Sequence, residues 1–226
     1  DGRCSLMEAA TSSDILLLDG PDEHEDVSTL SANSCVSPNT DVFVVCFNKA
    51  GAASECTAAT TTLDVFRFGS DLAHAETPCG SGGQSGNSVS KADAGTVVLT
   101  YNVANTAPTY IDTCSRGMNV VLTGATPSLT DGVGVRISTT TRAGTTAHKY
   151  ISDDLVFISV QASTTGSNSI LSRTVSLSGN NIVSIGDPAT TSYTVRYNQT
   201  FFKLGLTLLD TSTQIQTFSP SVNSDR

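Results

Sequence analysis

The densest group of side chains that could do chemistry is an acidic segment near the start of the sequence. Residues 19–26 follow the apolar run Ile15–Leu18 and contain five carboxylates and one imidazole. Because Ca²⁺ prefers several oxygen ligands, the segment predicts a calcium site. Its candidate ligands are the five carboxylates, Asp19, Asp22, Glu23, Glu25 and Asp26. The spacing is not that of an EF-hand, and a solvated acidic turn after a buried strand is the alternative that such a charge run favours.

Catalytic patterns are absent from the rest of the sequence. It has three histidines and no G-x-S-x-G elbow, so a serine nucleophile with its base is not indicated. The adjacent acids Asp153 and Asp154 are poorly placed to share one glycosidic bond, because neighbouring strand residues point to opposite faces. No glycine-rich segment lies between a strand pattern and a helix pattern, as phosphate-binding loops require. We therefore expect a protein that is not an enzyme and has no cofactor, apart from Ca²⁺ at the acidic segment.

The cysteine content predicts disulfides. The sequence has six cysteines, with no C-x-x-C pair and no histidine at metal-ligand spacing. They are Cys4, Cys35, Cys46, Cys56, Cys79 and Cys114. We expect three disulfides formed in an oxidising compartment. Sequential pairing is the favoured connectivity, because Cys46 and Cys56 bracket a Gly/Ala/Ser-rich turn.

Other features point to the same compartment. The sequence begins with Asp1 and has no apolar run of about 18 residues, which predicts a processed, secreted protein without a membrane span. Asn198 begins an Asn-Gln-Thr triplet, a glycosylation acceptor pattern for a secreted protein. We therefore expect an extracellular or surface-exposed protein.

Charge is distributed unevenly along the chain. The formal net charge is −9. Residues 1–115 carry 15 Asp or Glu and 4 Lys or Arg, whereas residues 116–226 carry 6 and 8. This balance argues against nucleic-acid binding, which needs a clustered positive surface. It is compatible with the front of one molecule meeting the back of another, but an ordinary uneven surface is the alternative that charge asymmetry alone favours.

Composition and periodicity predict an all-β fold. The chain has 30 Ser and 32 Thr but only 15% charged residues, and threonine favours strands whereas serine collects in turns. We expect an antiparallel β-sandwich, jelly-roll or Ig-like, with very little helix. It is either one large domain or two packed sandwich domains, residues 1–115 and 116–226, that meet near Arg116. No repeat of 20–50 residues is visible, which disfavours solenoids and propellers.

Strand patterns are of two kinds. Residues 96–103 alternate apolar and polar, which predicts one inward and one outward face. Residues 42–47 and 155–160 are apolar on both sides, as in central strands. Residues 5–10 and 70–76 could each form a short helical turn, and residues 80–88 have the composition of a flexible loop.

The segment 201–209 is an unusually apolar strand near the end of the sequence. Its alternate residues Phe202, Leu204, Leu206 and Leu208 form one large apolar face. Burying four such side chains contributes roughly 6–12 kcal/mol before entropy is subtracted, so this face must be covered. The cover is either the same molecule or a neighbouring copy that receives the strand.

These observations predict a structural subunit of an extracellular or surface assembly, such as a filament, an appendage or a virion coat. Copies of the chain itself are the expected partners, through β-strand pairing and sandwich packing. The alternative is a monomeric adhesin that binds a host or cell-surface protein or glycan through residues 80–90 or 139–147. A hydrolase with a site assembled from scattered residues is a third, weaker interpretation.

Overall fold

The computed structural model is all-β. It describes residues 2–9, 15–25, 30–49, 54–62, 65–73, 79, 84–106, 109–140, 142–164, 167–193, 202–210 and 213–220. The strands are β1 (Gly2–Ala9), β2 (Ile15–Glu25), β3 (Leu30–Val36), β4 (Val42–Lys49), β5 (Ser54–Thr62), β6 (Val65–Phe68), β7 (Leu72–Ala73), β8 (Gln84–Lys91), β9 (Thr96–Thr106), β10 (Thr109–Thr123), β11 (Thr126–Asp131), β12 (Val135–Thr140), β13 (Arg142–Ser152), β14 (Leu155–Thr164), β15 (Ser167–Ser178), β16 (Asn181–Ile185), β17 (Ala189–Tyr193), β18 (Phe202–Leu208) and β19 (Gln214–Pro220). Within these ranges no helix is long and apolar enough to cross a membrane.

The strands form five antiparallel sheets, which we name A to E in chain order. Sheet A contains β1 and β2, sheet B contains β3 to β7, and sheet C contains β8 to β12. Sheet D contains β13 to β17, and sheet E contains β18 and β19. The predicted all-β antiparallel class is confirmed.

Sheets B, C and D share one topology. In each, the first four strands pair in chain order, and the fifth strand pairs with the third. In sheet C the fourth strand β11 pairs with residues 118–123 of β10, whereas the fifth strand β12 pairs with residues 111–115. The fourth and fifth strands therefore lie end to end along one edge of the third.

The shared topology is a structural repeat. The first strands β3, β8 and β13 begin at residues 30, 84 and 142, and β18 begins at residue 202. The period is thus 54 to 60 residues, longer than the 20–50-residue window in which the sequence shows no repeat. Successive first strands also lie against one another, β3 against β8, β8 against β13 and β13 against β18. The chain is a series of similar sheets, which the sequence analysis did not anticipate.

Sheet C packs on both of its faces. One hydrophobic core lies between sheets B and C and includes Val44, Leu99 and Met118. A second core lies between sheets C and D and includes Val98 and Ile158. Sheets B, C and D are therefore stacked face to face as three layers.

This stacking corrects the predicted outward face of β9. Thr100 and Asn102 were expected to face solvent, but both are buried beneath sheet D. Their polarity is satisfied within sheet C, because Thr100 bonds to Ser115 and Asn102 accepts a hydrogen bond from Thr113 at 2.9 Å. Paired hydroxyl and amide groups can be buried at little cost, so alternation alone does not identify a solvent face.

Several local predictions are also wrong. Residues 5–9 and 72–73, expected to form short helical turns, lie in strands β1 and β7. Residues 84–88, expected to form a flexible loop, lie in β8, and residues 142–147 lie in β13. The expected boundary near Arg116 falls inside β10, which pairs with strands on both sides of that residue in the chain. The division of the chain into one domain, or into two domains 1–115 and 116–226, stays a prediction.

Candidate functional site

The contacts between successive sheets form the most regular chemical feature of the described residues. Three glycines, which we call the edge glycines, separate the fourth strand from the fifth in sheets B, C and D. They are Gly69, Gly132 and Gly186, and each donates its backbone N–H to the third strand of its sheet, at 2.8, 2.9 and 2.8 Å. They therefore occupy equivalent positions in the repeat.

Two of the edge glycines provide space for the next sheet. A Cβ at Gly69 would overlap the carbonyl of Pro127 in sheet C. A Cβ at Gly132 would overlap the carbonyl oxygen of Asn180 and stand 2.8 Å from its carbonyl carbon. The side-chain amide of Asn180 also donates to the backbone oxygen of Thr130 at 3.3 Å. Backbone-to-backbone approach at this edge is thus repeated from one interface to the next.

A cross-strand pair recurs where the second strand meets the third. Cys46 and Cys56 lie directly opposite each other in sheet B and form a disulfide, with their Cα atoms 4.1 Å apart. The equivalent opposed pairs are hydroxyl pairs, Thr100–Ser115 in sheet C and Ser159–Ser172 in sheet D. All six residues are buried. We call this position the rung of each sheet.

The disulfide predictions are partly tested. Cys46–Cys56 and Cys79–Cys114 form as the sequential pairing predicts. Cys35 has an exposed thiol that makes no disulfide within the described part of the chain. The side chain of Cys4 lies outside the described residues, so the pairing of Cys4 with Cys35 stays a prediction.

The turns between first and second strands stack along a second edge. Asn39 accepts hydrogen bonds from the backbone N–H groups of Asp41 and Val42 at 2.9 and 3.1 Å, and its amide donates to Ala94 in sheet C at 2.7 Å. In sheets C and E the corresponding turns use aspartates, whose carboxylates accept from Gly95 at 2.6 Å and from Thr213 at 2.7 Å. Such Asx turns fix the hairpin by local side-chain bonding.

The sheet D turn brings carboxylates together. Asp154, at φ 61°, donates its backbone N–H to Ala92 of sheet C at 3.0 Å. Desolvation and the nearby carboxylate of Asp93 raise the pKa of Asp154. Asp153 accepts a hydrogen bond from the Tyr150 hydroxyl at 2.7 Å. Asp153 and Asp154 therefore act in a turn and its stacking contact.

His148 is half-buried between sheets C and D and is not placed as a catalytic base. Both ring nitrogens are buried, and neither forms a hydrogen bond of normal geometry among the described residues. Burial lowers the pKa of His148 to about 3, and the backbone of Val98 only partly opposes this. The neutral imidazole therefore fills space at the interface.

The acidic segment is strand and not turn. Its backbone from Asp19 to Glu25 lies in β2, which pairs with β1. Asp26 lies outside the described residues, as do the side chains of the other four candidate ligands and Asn198. Within the described residues no group of three or more His, Cys, Asp or Glu could hold a metal ion. The calcium site and the glycosylation site stay predictions.

The predicted terminal strand forms, and it pairs within its own chain. Phe202, Leu204, Leu206 and Leu208 all lie in β18, which forms a hairpin with β19 and lies against β13. Leu206 is half-buried, whereas Thr207 is exposed. The strand is therefore covered in part by its own molecule, through sheet D.

Sequence reasoning missed the feature that joins these observations, the recurrence of edge glycine, rung and Asx turn. Local signals existed in the glycines that follow Asp131 and Ile185 and in the Asn and Asp residues of the turns. Comparisons of the chain with protein-family models, with curated proteins and with solved structures find no match. The repeated sheet contacts are therefore the basis for a functional hypothesis.

Proposed function

We propose that this chain is a structural subunit of an extracellular or surface assembly and that it associates with copies of itself through strand pairing and sheet packing. A filament is the form that we favour over a coat. Its role is mechanical and not catalytic. The observation that carries the proposal is the series of sheets with one topology, each of which offers similar contacts to the sheet before it and the sheet after it.

Repetition supports assembly because each interface reuses one geometry. When a contact joins two different surfaces of identical subunits, each added subunit is rotated by the same angle relative to the one before it. The subunits form a ring if these rotations close, and they form a fibre if the rotations do not close. The two buried disulfides support an oxidising compartment, as expected for a secreted or surface subunit. The alternative adhesin depends on loops at residues 80–90 and 139–147, and most of these residues are strand.

Light scattering coupled to size-exclusion chromatography tests the proposal on the full 226-residue chain. We expect the average mass to rise above that of the 23.4 kDa monomer as concentration increases, with elongated particles in negative-stain electron microscopy. A monodisperse 23.4 kDa species at millimolar concentration contradicts self-assembly. A monomer with saturable binding on a glycan or cell-surface protein array favours the adhesin instead.

A further inference from the structure

Sheet A has the third, fourth and fifth strand positions of the repeat. In sheets B, C and D, the rung residue on the third strand pairs with the residue that lies three positions after the edge glycine. Leu72 pairs with Cys56 in sheet B, and Val135 pairs with Ser115 in sheet C. In sheet A the residue three positions after Gly20 is Glu23, and it pairs with Arg3. The register of sheet A also shifts at the glycine, between Leu6 and Cys4 on β1. Thus β1 is a third strand, and β2 is a joined fourth and fifth strand.

Sheet E has the first and second strand positions. Its strand β18 lies against β13 in the way that β13 lies against β8. The pair Thr207–Ile215 in sheet E corresponds to Lys149–Phe157 in sheet D, 58 residues earlier on both strands. Sheets E and A together therefore contain each strand position of the repeat once.

Exposure at one repeat position of the second strands increases towards sheet E. Val44 and Val98 lie on second strands, opposite third-strand residues, and both are 0% exposed. Phe157, the corresponding residue of sheet D, is half-buried, and Ile215 of β19 is 40% exposed. Among the described residues, β19 pairs only with β18, and β1 pairs only with β2. An apolar residue is thus left in water on β19, the strand whose counterparts in sheets B, C and D pair with a third strand.

We propose that β19 of one copy pairs antiparallel with β1 of the next copy, so that sheet E and sheet A of two molecules form one five-stranded sheet. This interface rests on the proposed function and gives it a geometry. The composite sheet continues the stack from sheet D of one copy to sheet B of the next. Because the two edges are different, the contact is heterologous and repeats along a filament.

The repeat favours a second copy as the occupant, because sheet A supplies the strand positions that sheet E lacks, and charge agrees with a head-to-tail contact. Residues 1–29, which contain sheet A, carry eight Asp or Glu and one Arg. Residues 202–220, which contain sheet E, carry Lys203 and Asp210 and therefore no formal net charge. Like charges therefore disfavour the joining of two acidic sheet A ends, whereas the neutral sheet E end carries no such penalty against sheet A.

The repeat also fixes the register of the proposed contact. On the second strands, the rung residue lies two positions after the apolar residue whose exposure was compared. Cys46 lies two positions after Val44, and Thr100 lies two positions after Val98. In sheet E that position is Thr217. Its partner at the rung of the composite sheet is Arg3 of the next copy.

Cysteine trapping tests this register. The full chain carries Arg3→Cys and Thr217→Cys, with Cys4→Ser and Cys35→Ser to remove competing thiols. Because the disulfide Cys46–Cys56 occupies the same repeat position, mild oxidation with diamide should link the chains into a ladder of dimers, trimers and higher species on non-reducing gels. The matched control replaces Thr217→Cys by Gln216→Cys, one residue out of register, and should give about a tenfold lower yield. Equal yields from the two variants, or no ladder from the first, overturn the proposed pairing.

A second measurement uses the wild-type chain and does not depend on the variants folding. A peptide of residues 2–9 with Cys4→Ser, in excess, should cap β19 and reduce the average mass in light scattering, whereas a scrambled peptide should not. Assembly that ignores the peptide contradicts this interface but leaves the proposed function standing. A chain that is monomeric without any peptide contradicts both.

Discussion

Replacing Gly132 by alanine should weaken the contact between sheets C and D. The glycine does not have a left-handed backbone, so alanine meets no conformational barrier there and the effect is one of space. The new methyl group overlaps the Asn180 carbonyl, a backbone group that cannot rotate away. Overpacking of this kind costs about 3 kcal/mol at the upper end of its usual range. The lower entropy of the unfolded alanine chain offsets roughly 0.4–1 kcal/mol.

The net loss for Gly132→Ala is therefore about 2 kcal/mol, which lowers the Tm of a chain of this size by roughly 4–8 °C. Gly186→Ala is the matched control at the same repeat position. There the three nearest atoms all belong to Thr174 of the same sheet, and the nearest of them is its side-chain hydroxyl. Rotation of that hydroxyl costs roughly 0.5–1.5 kcal/mol, which the same entropy gain largely cancels. Its Tm should change by less than about 2 °C.

Thermal unfolding followed by circular dichroism, with urea unfolding for the free energy, measures both variants. The stacking of sheet D on the edge of sheet C predicts the difference between them. If Gly132→Ala is as stable as wild type, or if the two variants lose the same stability, the close approach of Asn180 to Gly132 is wrong. The repeat then does not extend across this interface.

Three further changes probe the same stack. Replacing Cys46 and Cys56 by alanine should lower the free energy of unfolding in urea by roughly 3 kcal/mol. The double variant Cys46→Thr, Cys56→Ser should recover about 1 kcal/mol of this loss, because it introduces the hydroxyl pair found in sheet C. If it recovers nothing, the rungs are not equivalent. The pKa of His148 is about 3 in the folded chain and near 6.5 in the unfolded chain, so on acidification the unfolded chain binds a proton first. The free energy of unfolding should therefore decrease as the pH is lowered from 6.5 to 3, by up to about 1.4 kcal/mol per pH unit. His148→Leu should flatten that part of the pH profile, and an unchanged slope contradicts the buried neutral imidazole. Asn39→Asp keeps the acceptor of the turn but loses the amide that donates to Ala94, so it should lower the free energy of unfolding by about 1 kcal/mol. Asn39→Ala loses both interactions and should lower it further. If urea unfolding gives the same loss for both variants, the hydrogen bond between the sheets is wrong.

Some properties of this protein follow from the sequence alone. Its abundance of threonine and serine and its period-2 alternation determine strands, because β-branched residues fit a pleated surface and no long amphipathic helix pattern competes with them. The strands β4, β9, β14 and β18 are all predicted from these local patterns. The cysteine pairs Cys46–Cys56 and Cys79–Cys114 agree with the favoured sequential pairing, although six cysteines allow about fifteen connectivities and their spacing does not select one.

The tertiary structure alone decided what each strand face meets. Thr100 and Asn102 look solvent-facing in sequence but are buried, because their partners Ser115 and Thr113 come from another strand. The repeat is similarly hidden. Its equivalent positions share a geometric role and not a residue type, so a disulfide in one sheet corresponds to a hydroxyl pair in the next. Register between strands depends on contacts distant in the chain, and only the folded stack brings them together.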